Sequence, residues 1–428
     1  MKSAYDILKE RGFVEQVTDE ALIRELFDAG HVNCYIGFDP TATSLHIGSL
    51  VPIMSLAHMQ RNGNKPIALV GGGTGLIGDP SGKTEMRQIL TREQIDYNAS
   101  CLGKQLSQYL DFSDDKALLL NNADWLTKIN YIEFLRDIGR HFSVNRMLAA
   151  ESYRIRMEKG LNFIEFNYML LQAYDFLYLF QNQGCALQMG GNDQWGNMLA
   201  GTELIRKVTG KDSHAITFPL ITTSLGHKMG KTEKGTIWLD KKLTSPYEYY
   251  QYWVNSDDAD LERFLKLFTF LPLEEISIVE NLTDARLNMA KAVLAYEATK
   301  VTHGAAEADA AWRASMEAFH SRPVDADMFP SSTIPRTVPT TDTSAIPRYA
   351  VSRRDLEAGI SILSSCAQSG LTQSSSEARR LIQQGGIYIN DRQVKSIDEK
   401  LTAADFAGST ELRLRKGKKK YLIVELKD

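Results

Sequence analysis

The segment from residue 161 to residue 184 most constrains the fold, because apolar side chains occupy nearly every side of the helix that it predicts. A helix without a solvated face must lie inside a domain that surrounds it. Tyr168, Gln172 and Asp175 nevertheless occur in it, at spacings that place all three along one face. A buried ionised carboxylate is costly unless another group pairs with it. The three residues are therefore either a core polar network with protein partners or the floor of a pocket whose missing partner is a ligand.

Length and composition fit a chain of several domains that does not enter a membrane. The 428 residues correspond to about three domains, and no apolar run approaches the roughly 20 residues that span a bilayer. The N-terminus carries charged side chains and no apolar stretch like that of a secretory signal. The four cysteines lie far apart, with no Cys-x-x-Cys pair and no Cys/His cluster. We therefore predict a cytoplasmic protein without disulfides, structural zinc or another bound metal.

Strand and helix signals alternate through the first half of the chain. This alternation predicts an α/β domain with a Rossmann-like parallel sheet, in which ligands lie beyond the carboxyl ends of the strands. The predicted strands are residues 32–38, 66–71, 185–189 and 215–222, and the predicted helices are residues 50–61, 161–184 and 195–208.

The rest of the chain changes pattern twice. A helical pattern runs from a capped start at Ser256 to about residue 319, and five of the 12 prolines then fall between Pro323 and Pro347. From residue 351 onwards 14 Lys and Arg stand against 10 Asp and Glu, and a basic module of this kind suggests an anionic polymer as its partner. We predict an α/β domain at 1–222, an α-helical domain at 223–322, a linker at 323–350 and a small α+β domain at 351–428. The last is predicted to contain helices 355–364 and 375–384, strands 386–390, 411–415 and 421–426, and a basic tip at 415–420.

Two glycine-rich signatures are excluded as nucleotide sites of other folds. Residues 73–78, GTGLIG, have the spacing of a dinucleotide fingerprint, but Pro80 and Gly82 would break the helix that the fingerprint requires. Residues 78–84 imitate a P-loop with one residue too few between the glycines. What remains is a loop after a strand, whose charged side chains include the carboxylate of Asp79 and the cations Lys83 and Arg87.

Three further segments lie where a sheet of this kind binds nucleotides. They are YIGFDPTATSLHIGS at 35–49, GGNDQWGN at 190–197 and KMGKT at 228–232. Together they resemble the signatures of the class I aminoacyl-tRNA synthetases, and specifically of the bacterial type of tyrosyl-tRNA synthetase, and the resemblance extends to the C-terminus. Two positions depart from the family pattern. Ser49 replaces the second histidine of His-Ile-Gly-His, and Gly230 replaces the serine of Lys-Met-Ser-Lys-Ser and should make that loop more flexible.

The resemblance implies a two-step reaction, in which ATP activates tyrosine and the terminal adenosine of tRNA(Tyr) then accepts the tyrosyl group. It implies ATP as its Mg²⁺ complex, no organic cofactor, and catalysis by positioning and by cations around the phosphates. Tyr35 and Asp175 would meet the substrate phenol, so we expect phenylalanine to be rejected. The implied tyrosine-binding residues are Tyr35, Asp79, Tyr168, Gln172, Asp175, Gln188 and Gln194, of which Asp79, Tyr168 and Gln172 would hold the ammonium. The implied ATP-binding residues are Gly37, Asp39, His46, Gly48, Ser49, Gly191, Asp193 and Lys231. The implied catalytic residues are Thr41, His46, Lys83, Arg87, Lys228, Lys231 and Thr232.

The basic module resembles the α-L RNA-binding domain in LTQSSSEARR at 371–380 and QGGIYIN at 384–390. This resemblance implies that Arg379, Arg380 and Lys395 contact tRNA phosphates, and the family also implies a homodimer through residues 125–162. Three alternatives stay open. A tryptophanyl-tRNA synthetase would not need a carboxylate facing a phenol. A retired synthetase would act as an RNA-binding or splicing factor, and a dinucleotide oxidoreductase would rest on residues 73–78 alone.

Overall fold

The computed structural model describes residues 2–427 except 80–89, 150–152, 155–156, 158–159, 223, 225, 227–228, 230, 233–234, 320–321, 338–345 and 418–419; of residues 231 and 232 it describes only the backbone. The chain divides into two compact units, one of residues 1–244 and 262–277 and one of residues 245–261 and 278–428. This division into two units does not test the four predicted domains, so their boundaries stay a prediction. Within the described residues, no helix combines the length and the apolar character needed to cross a membrane.

A six-stranded sheet lies at the centre of the first unit and confirms the predicted α/β class. Its strands are β1 (Gln16–Val17), β2 (Asn33–Phe38), β3 (Lys65–Val70), β4 (Leu118–Asn121), β5 (Leu187–Gly191) and β6 (His214–Phe218). They lie in the order β1-β6-β5-β2-β3-β4, and every neighbouring pair is parallel except β1 with β6. All side chains of β6 and nearly all of β3 are buried, as expected for parallel strands covered on both faces.

The four predicted strands are confirmed in place as β2, β3, β5 and β6, but their ends differ. The strand predicted at 215–222 ends at Phe218. The edge strands β1 and β4 are not anticipated, because one has two residues and the other is only half-buried, so neither carries a periodic pattern.

The direction of strand order reverses between β2 and β5. From β2 the chain proceeds outwards to β3 and β4, whereas from β5 it proceeds the other way to β6. Ligands of open α/β sheets bind in the crevice outside the carboxyl ends of the strands at such a reversal. The loops that follow Phe38 and Gly191 therefore border the expected binding crevice.

The helix predicted at 161–184 is confirmed from Phe163 to Gln183 and is called the pocket helix below. A capping box opens it: the side chain of Asn162 accepts from the backbone N–H of Glu165, and the Glu165 carboxylate accepts from the backbone N–H of Asn162. It ends at Gly184, where a φ of 60° suits a residue without a Cβ atom.

The helix Trp195–Thr209 packs along the pocket helix at close range. Gly201 permits this approach, because a Cβ atom there would stand 2.9 Å from Cδ1 of Phe176. The contact between these helices therefore depends on the absence of a side chain at residue 201.

The remaining helices of the first unit cover the two faces of the sheet. The predicted helix 50–61 is confirmed at Leu50–Arg61. The buried guanidinium of Arg11 donates to the backbone carbonyls of residues 266, 269 and 271, which ties segment 262–277 to the N-terminus. The other helices are Ala4–Glu10, Glu20–Asp28, Arg92–Leu106, Ala123–Leu126, Tyr131–Asp137, Val144–Leu148, Leu273–Ile276 and most of Leu261–Phe268.

The second unit begins as a group of helices, Pro246–Val254, Asp284–His303 and Ala305–Phe319. The capped start predicted at Ser256 is wrong by one residue: the side chain of Asp257 accepts the backbone N–H of Ala259 and opens only a short 3₁₀ turn. The first part of the predicted linker packs on these helices. Ser332 donates its hydroxyl proton to the carboxylate of Glu297 at 2.7 Å, and Phe329 is fully buried.

The described residues contain seven further strands. β7 (Lys231–Thr232) and β8 (Gly235–Thr236) form a small hairpin in the first unit. In the second unit β9 (Arg348–Ser352), β10 (Ile387–Ile389), β11 (Arg392–Gln393), β12 (Glu411–Lys416) and β13 (Lys420–Lys427) form a sheet in the order β11-β10-β12-β13-β9. The helix predicted at 355–364 is wrong. Two helices, Arg353–Ala358 and Ile362–Gln368, replace it, because Gly359 has a φ of 85° that ends the first.

Candidate functional site

The carboxylate of Asp175 lies inside the first unit with only 2% of the residue exposed. Asn122 Nδ2 donates to one of its oxygens at 2.8 Å, and Trp125 Nε1 donates to the other at 2.8 Å. Burial raises the pKa of Asp175 to about 7, although these two hydrogen bonds lower it, and the charge of Asp39 raises it further. Among the described residues no lysine or arginine pairs with it. Two neutral donors leave about half of the carboxylate lone pairs available.

The phenol oxygen of Tyr35 is buried and has no hydrogen-bond partner among the described residues. The centroid of its ring lies 5.3 Å from the ring centroid of Phe176 on the pocket helix. Burial, and then the charge of Asp175, raise the pKa of Tyr35 well above its ordinary value, so the phenol and the carboxylate are electrostatic neighbours. A ligand hydroxyl could accept from Tyr35 and donate to Asp175, which would satisfy both groups.

Three other predicted tyrosine-binding residues form a hydrogen-bonded network with Asn197 nearer the start of the pocket helix. They are Asp79, Gln172 and Gln194. Gln194 Nε2 donates to Oδ2 of the buried Asp79 at 2.8 Å. Asn197 Nδ2 donates to Oε1 of Gln194 and to Oε1 of Gln172, both at 3.1 Å. The network therefore presents one carboxylate and two amide oxygens, which are acceptors of the kind that an ammonium group needs.

Tyr168 and Gln188 complete the predicted set. Tyr168 is buried on the same face of the pocket helix as Asp175, about 10 Å away along the helix axis. Gln188, on β5, is buried, and its amide oxygen has no hydrogen-bond partner within the described part of the chain. The Tyr35–Asp175 pair and the network around Asp79 suit the two ends of an extended amino acid that has a polar group at each end.

His46 lies in the exposed loop between β2 and the helix Leu50–Arg61. Its Nδ1 accepts the backbone N–H of Gly48 at 3.0 Å, so the ring proton of the neutral imidazole belongs on Nε2, which becomes a donor. A Cβ atom on Gly48 would stand 2.8 Å from Cε1 of His46, which explains the glycine. Ser49 precedes the helix without making a side-chain cap in the described structure, and Thr41 is exposed in the same loop.

The glycines and aspartates assigned to ATP border the crevice at the ends of β2 and β5. Gly37 is exposed, and a Cβ atom there would meet nothing within 4 Å, so the surface beside it is open. Asp39 follows β2. Across the crevice Gly191 ends β5, and Asp193 is exposed two residues later. The structure thus brings the four residues to the edge of the sheet where parallel strands present their carboxyl ends.

Part of the predicted cation set lies outside the described residues. Lys83, Arg87 and Lys228 are not described, and Lys231 and Thr232 are described only as backbone in β7. Their positions around the phosphates stay a prediction. In the described portions of the chain, no three His, Cys, Asp or Glu side chains are grouped as a metal site would require.

The predicted RNA-contacting residues lie on the surface of the basic module. Arg379 and Arg380 are exposed on the helix Ser375–Gln383, Lys395 is exposed after β11, and the described structure gives none of the three an ion pair. The predicted basic tip is different. Lys416 pairs with Glu377, Arg415 lies 4.1 Å from the ring centroid of Tyr388, and Lys420 donates to the carbonyl of Leu371 at 2.8 Å. These tip cations stabilise the module itself.

Asn122, Trp125 and Asn197 are functional residues that the sequence reasoning misses. The first two follow β4, a strand with no clear pattern, and nothing local marks them as partners of a helix some 50 positions later. Asn197 lies inside the recognised segment 190–197, and this position in the segment could have predicted that it belongs to the site.

Comparison with known proteins identifies the family. The family described as tRNA synthetases class I (W and Y) matches residues 28–320, and the tyrosine–tRNA ligase SYY-like C-terminal domain matches residues 341–424. The tyrosine–tRNA ligase of Syntrophus aciditrophicus is 63% identical, with 100% of this chain and 99% of that protein covered. That of Desulfosudis oleivorans is 57% identical, with 98% of each covered.

Solved structures give the same picture. A C-terminally truncated mitochondrial tyrosyl-tRNA synthetase of Aspergillus nidulans superposes with a TM-score of 0.67 at 35% identity, over 73% of this chain and 93% of that one. A tyrosyl-tRNA synthetase of Archaeoglobus fulgidus shares the fold, with a TM-score of 0.56 at 17% identity, over 71% of this chain and 99% of that one.

Proposed function

This chain belongs to the class I tRNA synthetases of the tryptophan and tyrosine family, as a tyrosine–tRNA ligase, and from that premise we propose how its crevice performs the reaction. The enzyme uses ATP to join tyrosine to tRNA. The observation that carries the residue assignment is a buried pair. The Tyr35 hydroxyl has no hydrogen-bond partner among the described residues, and the charge of the Asp175 carboxylate, which has lone pairs available, acts on it.

At this end the substrate phenol accepts from Tyr35 and donates to Asp175. Phenylalanine would leave both groups buried and unsatisfied, which is the arrangement that discriminates most strongly between substrates. Tryptophan has no phenol hydroxyl, and its indole N–H lies in another position, so it cannot both accept from Tyr35 and donate to Asp175. The amino-acid choice is thus made by burial and needs no separate editing site.

At the other end the ammonium of tyrosine binds the carboxylate of Asp79 and the oxygens of Tyr168 and Gln172. Gln194 supports this site by its hydrogen bond to Asp79, and Gln188 supplies a further buried acceptor. A cation among these oxygens makes charge-assisted hydrogen bonds, which are stronger than neutral ones. The tyrosine carboxylate then points towards the crevice at the ends of β2 and β5.

In the first step an oxygen of that carboxylate attacks the α-phosphorus of ATP. A new O–P bond forms, the bond from this phosphorus to the bridging oxygen breaks, and pyrophosphate leaves. His46, with its Nε2 donor, and Thr41 contact the outer phosphates, where Mg²⁺ enters as part of the substrate. The adenosine lies against Gly37, Asp39, Gly48, Ser49, Gly191 and Asp193. Lys83, Arg87, Lys228, Lys231 and Thr232 stabilise the departing charge.

In the second step a ribose hydroxyl of the terminal adenosine of tRNA attacks the activated carbonyl carbon, and AMP leaves. Arg379, Arg380 and Lys395 hold the tRNA by its phosphates. Their exposure without ion pairs in the described structure supports this role, since such cations can exchange small counterions for phosphates.

We also propose that the enzyme is a homodimer in the cytoplasm. Exposed apolar side chains are concentrated around the predicted interface, where Ile132 is 71% and Phe163 is 68% exposed. A patch of this kind marks an interaction surface, so Ile132→Asp should yield monomers in sedimentation. The buried free thiols of Cys34, Cys185 and Cys366 favour a reducing compartment.

Pyrophosphate exchange into ATP tests the amino-acid assignment directly. With tyrosine, exchange should be rapid, and with phenylalanine kcat/KM should fall about 10⁴- to 10⁵-fold, a figure known for tyrosyl-tRNA synthetases and not obtained from this structure. Tryptophan should support no measurable exchange. Similar kcat/KM values for tyrosine and phenylalanine would overturn the assignment of Tyr35 and Asp175.

A further inference from the structure

We call residues 228–232 the signature loop. A short segment that follows it lies beside the loop that contains His46. This anchor segment, residues 237–240, follows the β7–β8 hairpin directly. The backbone N–H of Ile47 donates to the carbonyl of Ile237 at 2.9 Å, and the N–H of Leu239 donates to the carbonyl of Leu45 at 2.9 Å. His46 and Trp238 therefore face each other in an antiparallel bridge.

Side chains fix both partners of this bridge. The backbone N–H of Asp240 donates to Oγ of Ser44 at 3.1 Å, and the same oxygen accepts from Gln105 Nε2 at 2.9 Å. Oε1 of Gln105 accepts the backbone N–H of Leu45 at 2.9 Å. Because Gln105 lies on the helix Arg92–Leu106, the bridge is attached to a regular element of the first unit.

The ring of Trp238 contacts the imidazole of His46 edge to face. The ring centroids are 6.4 Å apart and the planes meet at 67°, which is a favourable arrangement for two aromatic rings. The hydrogen bond from Gly48 to Nδ1 fixes which nitrogen of His46 is the acceptor. The contact with Trp238 further restricts the rotation of the His46 imidazole.

The other end of the signature loop approaches the same place. The backbone N–H of Met229 donates to the carbonyl of Ile221 at 3.1 Å. The carbonyl oxygen of Met229 would stand 3.6 Å from a Cβ atom on Gly48. The loop that carries the signature lysines is therefore attached near the His46 loop at Met229 and again at the anchor segment.

We infer that Trp238 is a positioning residue for the activation step, because it orients the His46 imidazole. The inference rests on the role proposed above for His46. It assigns to residue 238 a part in the chemistry, although the residue lies outside every recognised motif. Trp238 touches the imidazole and not the amino-acid pocket, so its effect should fall on kcat and spare the KM for tyrosine.

Steady-state pyrophosphate exchange with the full-length enzyme tests this inference. Trp238→Ala should lower kcat about 2- to 10-fold, with the KM for tyrosine unchanged, and Trp238→Phe should restore most of the activity because it keeps a ring. Trp312→Phe, at a buried tryptophan of the second unit, is the matched control and should leave kcat unchanged. In the double variant His46→Asn/Trp238→Ala, kcat should equal that of His46→Asn alone, because Trp238 acts through His46.

The outcomes separate the inference from the function on which it rests. Full activity of His46→Asn would remove the proposed role of His46 and the inference with it. A slow His46→Asn variant with a fully active Trp238→Ala would overturn the positioning role alone. Additive losses in the double variant, or a rise in the KM for tyrosine that matches the loss of kcat, would also overturn it. If Trp238→Ala does not fold, Trp238→Leu and Trp238→Phe give the same comparison.

Discussion

The phenol end of the proposed tyrosine pocket and the outer face of the C-terminal module differ in how they present charge. Asp175 is buried and is held by two neutral donors, whereas Arg379 and Arg380 are exposed and have no ion pair among the described residues. A buried charge accepts few partners because each must replace lost hydration in a fixed geometry. An exposed cation accepts any phosphate at a suitable distance, and salt screens the attraction. The difference indicates that burial gives selectivity for a small substrate, while exposure gives affinity for a polymer.

Removing a donor from Asp175 is the strongest way to break this comparison. In Asn122→Ala one carboxylate oxygen loses its protein partner, so we expect kcat/KM for tyrosine to fall about 10- to 100-fold. Trp125→Phe keeps an aromatic ring that can stack on Tyr178 but removes the N–H donor together with part of the indole, so we expect its loss of kcat/KM to be similar. Pyrophosphate exchange measures both.

The KM for ATP serves as the internal control for these two variants. It should stay within about twofold of the parent value, because neither donor borders the nucleotide side of the crevice. Equal changes in the KM for tyrosine and for ATP would contradict a specific role of these donors and would indicate general loss of structure.

The pH dependence of tyrosine binding sharpens the comparison. Burial raises the pKa of Asp175 to about 7, so protons compete with the substrate phenol for the carboxylate below that pH. We expect the KM for tyrosine to rise by up to about tenfold for each pH unit below 7 and to level off above it. Trp125→Phe removes a hydrogen bond that lowers this pKa, so the midpoint of its profile should lie at higher pH.

A KM for tyrosine that stays constant between pH 5.5 and pH 8 would contradict an ionisation of Asp175 in this range. Acid unfolding would lower the amount of active enzyme and therefore kcat, so a rise in the KM for tyrosine alone, with the KM for ATP unchanged, separates this effect from unfolding.

Substitution on the exposed face should have the smallest effect. We expect Arg379→Ala/Arg380→Ala to raise the KM for tRNA a few-fold in aminoacylation and to reduce the dependence of log affinity on log salt by about one for each phosphate that the variant no longer binds. Pyrophosphate exchange should not change. Lys9→Ala, an exposed lysine of the first unit that pairs with Glu20, is the matched control. A loss of exchange activity in the tail variant would place these arginines in a different role.

How well the sequence predicts each helix or strand depends on whether the residues that indicate it lie within that element. The pocket helix and the helix Leu50–Arg61 are predicted closely, because the apolar residues that indicate them lie within the elements themselves. The helix predicted at 355–364 is wrong because a single glycine, Gly359, changes the chain direction inside an otherwise helical pattern. The edge strand β4 is missed because its stability comes from pairing with β3, which no local pattern records.

The site shows the same limit. Tyr35 and Asp175 are identified through residue types and motif order, and the structure brings them together. Their supporting donors, Asn122 and Trp125, are missed because they become neighbours of the pocket helix only when the sheet forms. The sequence did not indicate that the cations of the basic tip would be used within their own module, as the pairing of Lys416 with Glu377 shows, because charge composition does not reveal internal pairing.

The missing side chain at Gly201 has a consequence for how substrate preference can evolve. A methyl group there would press on the ring of Phe176, and the ring of Phe176 packs against that of Tyr35. The position of the Tyr35 ring, where we propose that the substrate phenol binds, thus depends on a residue that contacts no proposed ligand. Selection for a smaller or bulkier amino acid has a route through residue 201 that leaves every ligand-contacting group chemically unchanged.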